Sequence, residues 1–389
     1  MNNKSKVRLA VIGCGGLAQS QHIPNLFKLD NAVLHTLCDV RSDVLNQVGD
    51  QYGVARRETD HRKVLADPEV DGVLVVTRED QHVPLTLEAL AAGKHVYVEK
   101  PLAETEEDCA RVTAAQKTAG KIVAVGMNRR MAPAYRYARD LLWKHGGPRA
   151  LSYRIADSYC LDWGKSKGYP AGARVVHEVC HIFDILRFFT KSDAVSVYCA
   201  ASRDDEEMIV LRFASGAVAT IFSSGYVQSD MPKEHFEATA EVGGLIVQDF
   251  CEIRQYSLDD DAPLRRTFTG HSHPLHDSIT EPLLLELGAE GMQAVRRICL
   301  NAQKEWSRLT AEGNTDSAEY RRLKAFTERM PLRSYFMDKG WRPALEDFAE
   351  AIRTGREFAG ASAHDGLQAT RITQAVIRSR DTGEVVFLS

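Results

Sequence analysis

Two short spacings in the chain carry residue types that do chemistry. In the first, Gly13, Gly15 and Ala18 follow an apolar run at the G-x-G-x-x-A interval, with Gly16 and Leu17 completing the loop. Glycine at the first position permits a tight turn, glycine at the second lets a pyrophosphate approach the backbone, and a small third residue lets a helix pack closely on the strand. The helix start then offers unpaired N–H groups and its positive dipole end to phosphate. A second apolar run, AVLHTLC, ends at Asp39, where such a fold keeps an acid for the hydroxyls of the adenosine ribose. Loop and acid together point to a dinucleotide. In the second spacing, residues 177 to 181 read His-Glu-Val-Cys-His. That is the H-E-x-x-H of zinc peptidases, where two histidines hold the metal and the glutamate is the general base. A third ligand is required, and Glu206 or Glu207 would have to supply it. A peptidase has no use for a dinucleotide fold, so the reading here is hydride chemistry with no metal. Zinc hydrolysis stands as the remote alternative.

Moving a hydride from a secondary alcohol requires loss of the hydroxyl proton as the carbonyl forms, so a group of tunable pKa must touch that oxygen. A lysine at a strand end stabilises the developing charge, and histidine is the natural proton acceptor near neutral pH. The elements that position such groups follow from the pattern. Through residue 126 short apolar strands alternate with helices, which means a doubly wound parallel sheet with ligands beyond the carboxyl ends of its strands. Thr77, Glu99, Lys100, Asn128 and Arg129 occupy those places. Of Arg129 and Arg130, one is expected to meet cofactor or substrate and the other to be solvated. After Gly146-Gly147-Pro148 strands joined by short turns dominate, the mark of a largely antiparallel sheet. The expected architecture is therefore α/β, with a Rossmann dinucleotide-binding domain over 1–127. An α+β domain over 128–389 follows it, carrying a helical insertion at about 273–330. Two amphipathic helices, through ALEDFAEAIRTG and LQATRITQAVIRS, close the chain. Trp163, Lys165, Lys167, Tyr169 and Arg174 fall in a loop expected to cap the substrate pocket.

Composition narrows the field. Forty-nine Lys and Arg stand against 53 Asp and Glu among 389 residues, which implies no general attraction to nucleic acid or membrane surfaces. No apolar run is long enough to span a bilayer, and the first six residues lack a signal-peptide core. Eight scattered cysteines without a C-x-x-C pair read as reduced thiols of a cytoplasmic protein.

The glycine loop, the tripeptide Glu99-Lys100-Pro101, the His181-x-x-Asp184 pair and the C-terminal LEDFAEAIRTG with HDGLQATRI together resemble the Gfo/Idh/MocA oxidoreductases over nearly the whole chain. The resemblance implies a nicotinamide cofactor and a small-molecule sugar or cyclitol substrate. It makes Lys100 the catalytic lysine and His181 the acid/base at the substrate hydroxyl. Glu99 and Pro101 shape the turn against the nicotinamide ribose, and His82 and Asn128 join the cofactor set. It also implies a homo-oligomer, a dimer or tetramer built on the open face of the second sheet. Two departures stand out. His177, with Glu178 beside it, replaces the family's usual Asp four residues before the histidine. Arg78-Glu79 replaces the usual Pro-Asn after Thr77. Since Asp39 repels a 2′-phosphate that Arg41 would otherwise grip, NAD is expected over NADP. The reaction is expected to be dehydrogenation of a sugar, cyclitol or sugar derivative. The alternative is a redox-neutral glycosidase of the same family, cycling NAD through oxidation, elimination, water addition and re-reduction, with His177 and Glu178 as extra acid/base groups. A non-catalytic sensing role is disfavoured by the presence of both Lys100 and His181. Under the dehydrogenase reading, His177→Asp is expected to be tolerated.

Overall fold

The computed structural model describes residues 6–161, 164, 167–227, 231–268, 280–329 and 337–388. Trp163 and Lys165 lie outside the described residues. The chain begins with the strands β1 (Val7–Ile12), β2 (Ala32–Cys38), β3 (Arg57–Glu58), β4 (Gly72–Val75), β5 (His95–Val98) and β6 (Val123–Val125). They pair in parallel in the order β6-β5-β4-β1-β2-β3. The central strands β1, β4, β5 and β6 are buried on both faces, as their apolar runs require. Helices His82–Ala91 and Glu106–Ala119 pack one face through Leu85, Ala89, Cys109 and Val112, while Ser42–Tyr52 packs the other through Leu45 and Val48. The helices start where capping chemistry allows. Asp60 accepts the Arg62 N–H at 3.0 Å and Thr105 accepts that of Asp108 at 3.1 Å, each cap contributing about 1 kcal/mol.

The second sheet comprises β7 (Ala150–Ala156), β8 (Ala194–Arg203), β9 (Glu206–Phe213), β10 (Val218–Ser224), β11 (Glu234–Thr239), β12 (Gly244–Gln248), β13 (Glu252–Tyr256) and β14 (Arg265–Thr267). Near the C-terminus come β15 (Ala361–Ser362) and β16 (Val386–Phe387), and the order of the second sheet is β14-β13-β12-β11-β7-β10-β9-β8-β16. Every pairing in it is antiparallel except β7 with β10. One face packs on helices Pro133–Trp143, Cys180–Thr190 and Ala363–Thr382. The other face leaves Tyr198, Met208, Val210, Val218 and Phe222 exposed.

The last two helices of the sequence divide between the two sheets. Trp341–Thr354 returns to the first, where Ala344, Leu345, Phe348 and Ala349 join the core around Leu9, Val11 and Tyr97. Strand β15 then adds antiparallel to β6. The nucleotide-binding unit is thus completed by residues far beyond 127. Helices Thr280–Ala311, kinked at Gly288, and Ala318–Arg329 fill the region read as a helical insertion. The first of them seats Leu284, Ala289 and Met292 in the core of the second sheet.

Candidate active site

The glycine loop sits where the strand order reverses, between β1 and β4. Gly13 takes φ +99°, and a Cβ there would lie 2.3 Å from the Val76 carbonyl oxygen, so glycine is required. A Cβ on Gly15 or Gly16 would instead meet nothing within 4 Å, leaving the backbone open to a ligand. Ala18 is fully buried, as close packing of helix on strand demands, while Leu17 is partly exposed. The loop opens on a cleft of about 730 Å³, lined among others by Gly13, Gly15, Gly16, Leu17, Asp39 and Thr77. Asp39 accepts the Cys14 N–H at 2.8 Å and the Arg41 N–H at 2.9 Å, which fixes its carboxylate at the cleft edge. Glycines with free space, an oriented acid and a cleft of this size fit the two ends of a dinucleotide.

A second group of the expected residues sits on the turn after β5, apart from the residues that line this cleft. Glu99 is buried and takes His22 Nε2 at 2.8 Å. Burial pushes its carboxyl up, but the His22 contact and the nearby Lys100 outweigh that and hold it below its ordinary range. The carboxylate fills the space beside Gly126, where a Cβ would lie 2.8 Å from it. His82, also buried, donates from Nδ1 to the Pro101 carbonyl at 2.7 Å, and its Nε2 lies 3.3 Å from the Thr77 carbonyl. It ties the turn after β4 to the turn after β5. Asn128 spends its amide on the Lys339 carbonyl at 2.7 Å, and so ties the end of β6 to the segment before helix Trp341–Thr354.

From this turn the Lys100 ammonium reaches the second unit and donates to the backbone carbonyl of His177. His177 lies in a widened helical turn, Val175–Val179, that leads into the helix Cys180–Thr190 carrying His181. Widened turns of this kind break the i→i−4 ladder and are frequent at functional sites. His181 is buried and its Nδ1 has no hydrogen-bond partner among the described residues. Burial, then the positive charges of Arg129 and Lys100, push its pKa well below the ordinary histidine value and keep the ring neutral. A neutral, unpaired imidazole beside an ammonium is a proton acceptor with a charge stabiliser next to it.

Around these two groups runs a buried ionic network. Arg129 grips Glu234 with two bonds of 2.7 Å, and Tyr153 donates to the same carboxylate at 2.6 Å. Lys233 bridges Glu178 at 2.9 Å and Asp157 at 2.8 Å. Arg130 makes a bidentate pair with Asp184 and also reaches Asp365 at 2.8 Å. Both arginines are thus buried, which corrects the expectation that one is solvated. Desolvation in the core is offset only because each guanidinium finds planar carboxylate partners. Arg174 is also corrected. It is fully buried, and its guanidinium is used on Asp157, Ser223 and the Ile155 carbonyl, so it braces the sheet and presents no donor to a substrate.

The H-E-x-x-H residues serve separate partners. His177 stacks on Tyr169 with ring centroids 4.0 Å apart, Glu178 is paired with Lys233, and His181 is buried within the field of Arg129 and Lys100. Glu206 bonds Arg203 and Ser224, and Glu207 bonds Ser223. Among the described residues the group spaced for a metal is His35, Asp67 and Glu69, elsewhere on the first unit. The zinc-peptidase geometry is therefore not formed.

Sequence reasoning missed His22, Lys233, Glu234 and Lys339. For Glu234 a signal existed, since strand alternation puts it on the same buried face as Phe236 and Ala238. His22 lies on the helix after the glycine loop, where nothing local announces its pairing with Glu99, 77 residues away.

Residues 7–127 match the family model described as GFO_IDH_MocA, Oxidoreductase family, NAD-binding Rossmann fold. The chain is 30% identical over 233 residues to a myo-inositol 2-dehydrogenase of Thermotoga maritima, covering 56% of this chain and 68% of that protein. The chain belongs to the Gfo/Idh/MocA family. It is also 30% identical over 209 residues to a 1,5-anhydro-D-fructose reductase of Ensifer adhaerens, covering 50% of this chain and 62% of that one. The chain thus spans about two thirds of the length of these relatives. Its fold is shared with scyllo-inositol dehydrogenase of Lactobacillus casei, solved with NAD(H) and scyllo-inositol. The TM-score is 0.70 at 16% identity, covering 98% of this chain and 99% of that one. The N-terminal unit is accordingly an NAD-binding domain of a Gfo/Idh/MocA oxidoreductase.

Proposed function

We propose that this protein is an NAD-dependent dehydrogenase that oxidises a secondary hydroxyl of a cyclitol, a sugar or a sugar derivative. The observation that carries the reading is the reach of Lys100 from the first unit to the His177 carbonyl, in the turn that leads into the His181 helix, with His181 buried and its Nδ1 without a hydrogen-bond partner among the described residues. When bound, NAD supplies the hydride acceptor. The chain's own groups handle the proton: as the substrate carbon gives up its C–H electron pair, the hydroxyl proton passes to His181 and the carbonyl forms. Lys100 donates to that oxygen and offsets its charge. Glu178 with Lys233, and Arg129 with Glu234, form the buried, charge-balanced network around these two groups. Relatives named for inositol and for anhydrofructose support the substrate class.

The glycosidase route needs a protonated acid for the leaving group. Burial raises the Glu178 carboxyl, but Lys233, Lys100 and Arg129 outweigh it and hold that carboxyl well below its ordinary range, so it stays ionised. His177 is occupied with Tyr169 and Glu79. The dehydrogenase reading is tested by incubating the protein with NAD and a panel of cyclitols and aldoses. NADH accumulating in proportion to substrate consumed supports it, and sugar and aglycone released with NAD unchanged refutes it.

The exposed face of the second sheet supports self-association. Phe222 lies directly across from Met208, and Val210 across from Tyr198, which makes a continuous apolar stripe. No described helix is long and apolar enough to cross a membrane, and all eight cysteines are free thiols, seven of them buried, which suits a reducing cytoplasm.

A further inference from the structure

The two places where the sequence departs from its family pattern meet in the folded chain. Glu79 opens the short turn after β4, on the rim of the cofactor cleft, and belongs to the first unit. Its Oε1 accepts the Tyr169 hydroxyl at 2.7 Å and lies 3.4 Å from His177 Nδ1, both of which belong to the second. The Tyr169 ring stacks on the His177 imidazole at 4.0 Å, and Tyr159 backs Tyr169 in a parallel stack at 6.3 Å. His177 Nδ1 is buried and has ion-pair proximity to Glu79 but no aligned hydrogen bond. The same residue's carbonyl receives the Lys100 ammonium.

We infer that Glu79, from across the cleft, and Tyr169, from the loop before the helix, are positioning residues that clamp His177 and, through its backbone carbonyl, set where the Lys100 amine stands. The inference rests on the proposed role of Lys100 at the substrate oxygen and deepens it. A carboxylate reaches this helical turn from Glu79 on the opposite wall. His177 is the complementary group at the helix position. The groups facing His177 are Glu79 from the turn after β4, Tyr169 from the preceding loop and Lys100 from the end of β5. Glu178, next along its own turn, is directed to Lys233. This placement reverses the expectation that His177→Asp is tolerated, because the new carboxylate would face Glu79 at close range.

The test is a double-substitution cycle with Glu79→Asn, His177→Asp and the two combined, which exchanges the carboxylate and its partner across the cleft. Each single change is expected to lower kcat by about tenfold or more through displacement of the lysine, with substrate KM little altered. The combined variant should recover to within about threefold of the parent, since the two positions share one contact. Tyr169→Phe, which keeps the stack and loses the hydroxyl, should fall between. Independently of activity, the rate of reductive methylation of Lys100 in cofactor-free protein, read by peptide mass spectrometry, should rise severalfold in either single variant and return in the combined one. If His177→Asp does not fold, His177→Asn completes the same cycle, its effect on Lys100 labelling being expected to be non-multiplicative with that of Glu79→Asn. Multiplicative losses with unchanged Lys100 labelling would overturn the clamp. A protein that oxidises no polyol but shows the labelling pattern would refute the proposed reaction and leave the clamp standing.

Discussion

The protein is expected to bind NAD more tightly than NADP, and replacing Asp39 by Ser is expected to collapse that difference. The carboxylate is fixed at the cleft edge by the Cys14 and Arg41 N–H groups, so it cannot swing away from a ligand. A 2′-phosphate carrying about two negative charges some 4 Å away would be repelled by about 2 kcal/mol in a fully water-like medium, and by about 8 kcal/mol at an effective dielectric constant of about 20. The lower figure alone makes NADP about thirtyfold weaker than it would be without the acid. On the other side, NAD loses a charge-assisted hydrogen bond to its ribose worth about 1.5–3 kcal/mol, about tenfold or more in Kd. Arg41, whose Nε lies 3.6 Å from the carboxylate and whose side chain is 59% exposed, is then free to meet the phosphate. Calorimetric titration of both nucleotides at one ionic strength checks this. The ratio of the two Kd values should shrink by at least about thirtyfold in the variant. An intact protein that prefers NADP, or a variant with an unchanged ratio, refutes the reasoning.

Three further outcomes follow from the buried charges and the exposed sheet. Glu234→Gln removes the charge that balances the buried Arg129, and should cost about 3–5 kcal/mol in urea unfolding, whereas a loss under about 1 kcal/mol would mean that water already screens the pair. His95 is pushed down to about 4 by burial and by Lys121, and His181 is also depressed. Both stay neutral in the fold while the unfolded chain takes up protons below about pH 6.5, so stability present above that pH is lost as the pH falls toward 4. His95→Gln should flatten the slope, and comparison with the parent separates it from Asp249, which is raised to about 6 by burial and works in the opposite sense. Light scattering at micromolar concentration should find a dimer or tetramer, and Met208→Lys with Phe222→Lys should yield the monomer; a monomeric parent would contradict the assigned contact face.

The parts of this molecule legible in the sequence are those set by near neighbours. The glycine loop, the strand ends and the acid at Asp39 follow from local spacing, because turn sterics and strand burial act within a few residues. What escaped the sequence depends on distant partners. Whether Arg129 is buried is decided by Glu234, 105 residues later, and Arg130 by Asp184 and Asp365. The helix Trp341–Thr354 has the same amphipathic pattern whichever sheet it covers, so periodicity could not assign it to the first. The H-E-x-x-H spacing was read correctly as a helix-borne motif, yet its three polar residues are claimed by Tyr169 with Glu79, by Lys233, and by the space beside Lys100. Glu79 was visible as a departure from the family pattern, but its meaning appears only once the fold brings it to His177.

The measurement that bears most directly on the central claim is a single-turnover experiment. Protein preloaded with NAD is mixed with an oxidisable cyclitol, and nicotinamide reduction is followed for the parent, Lys100→Met and His181→Ala, with NAD affinity measured alongside. The account expects NAD affinity within about threefold of the parent in both variants, because the glycine loop and Asp39 carry it, and reduction slowed by about 10²-fold or more. Reduction at the parent's rate in both variants would contradict it.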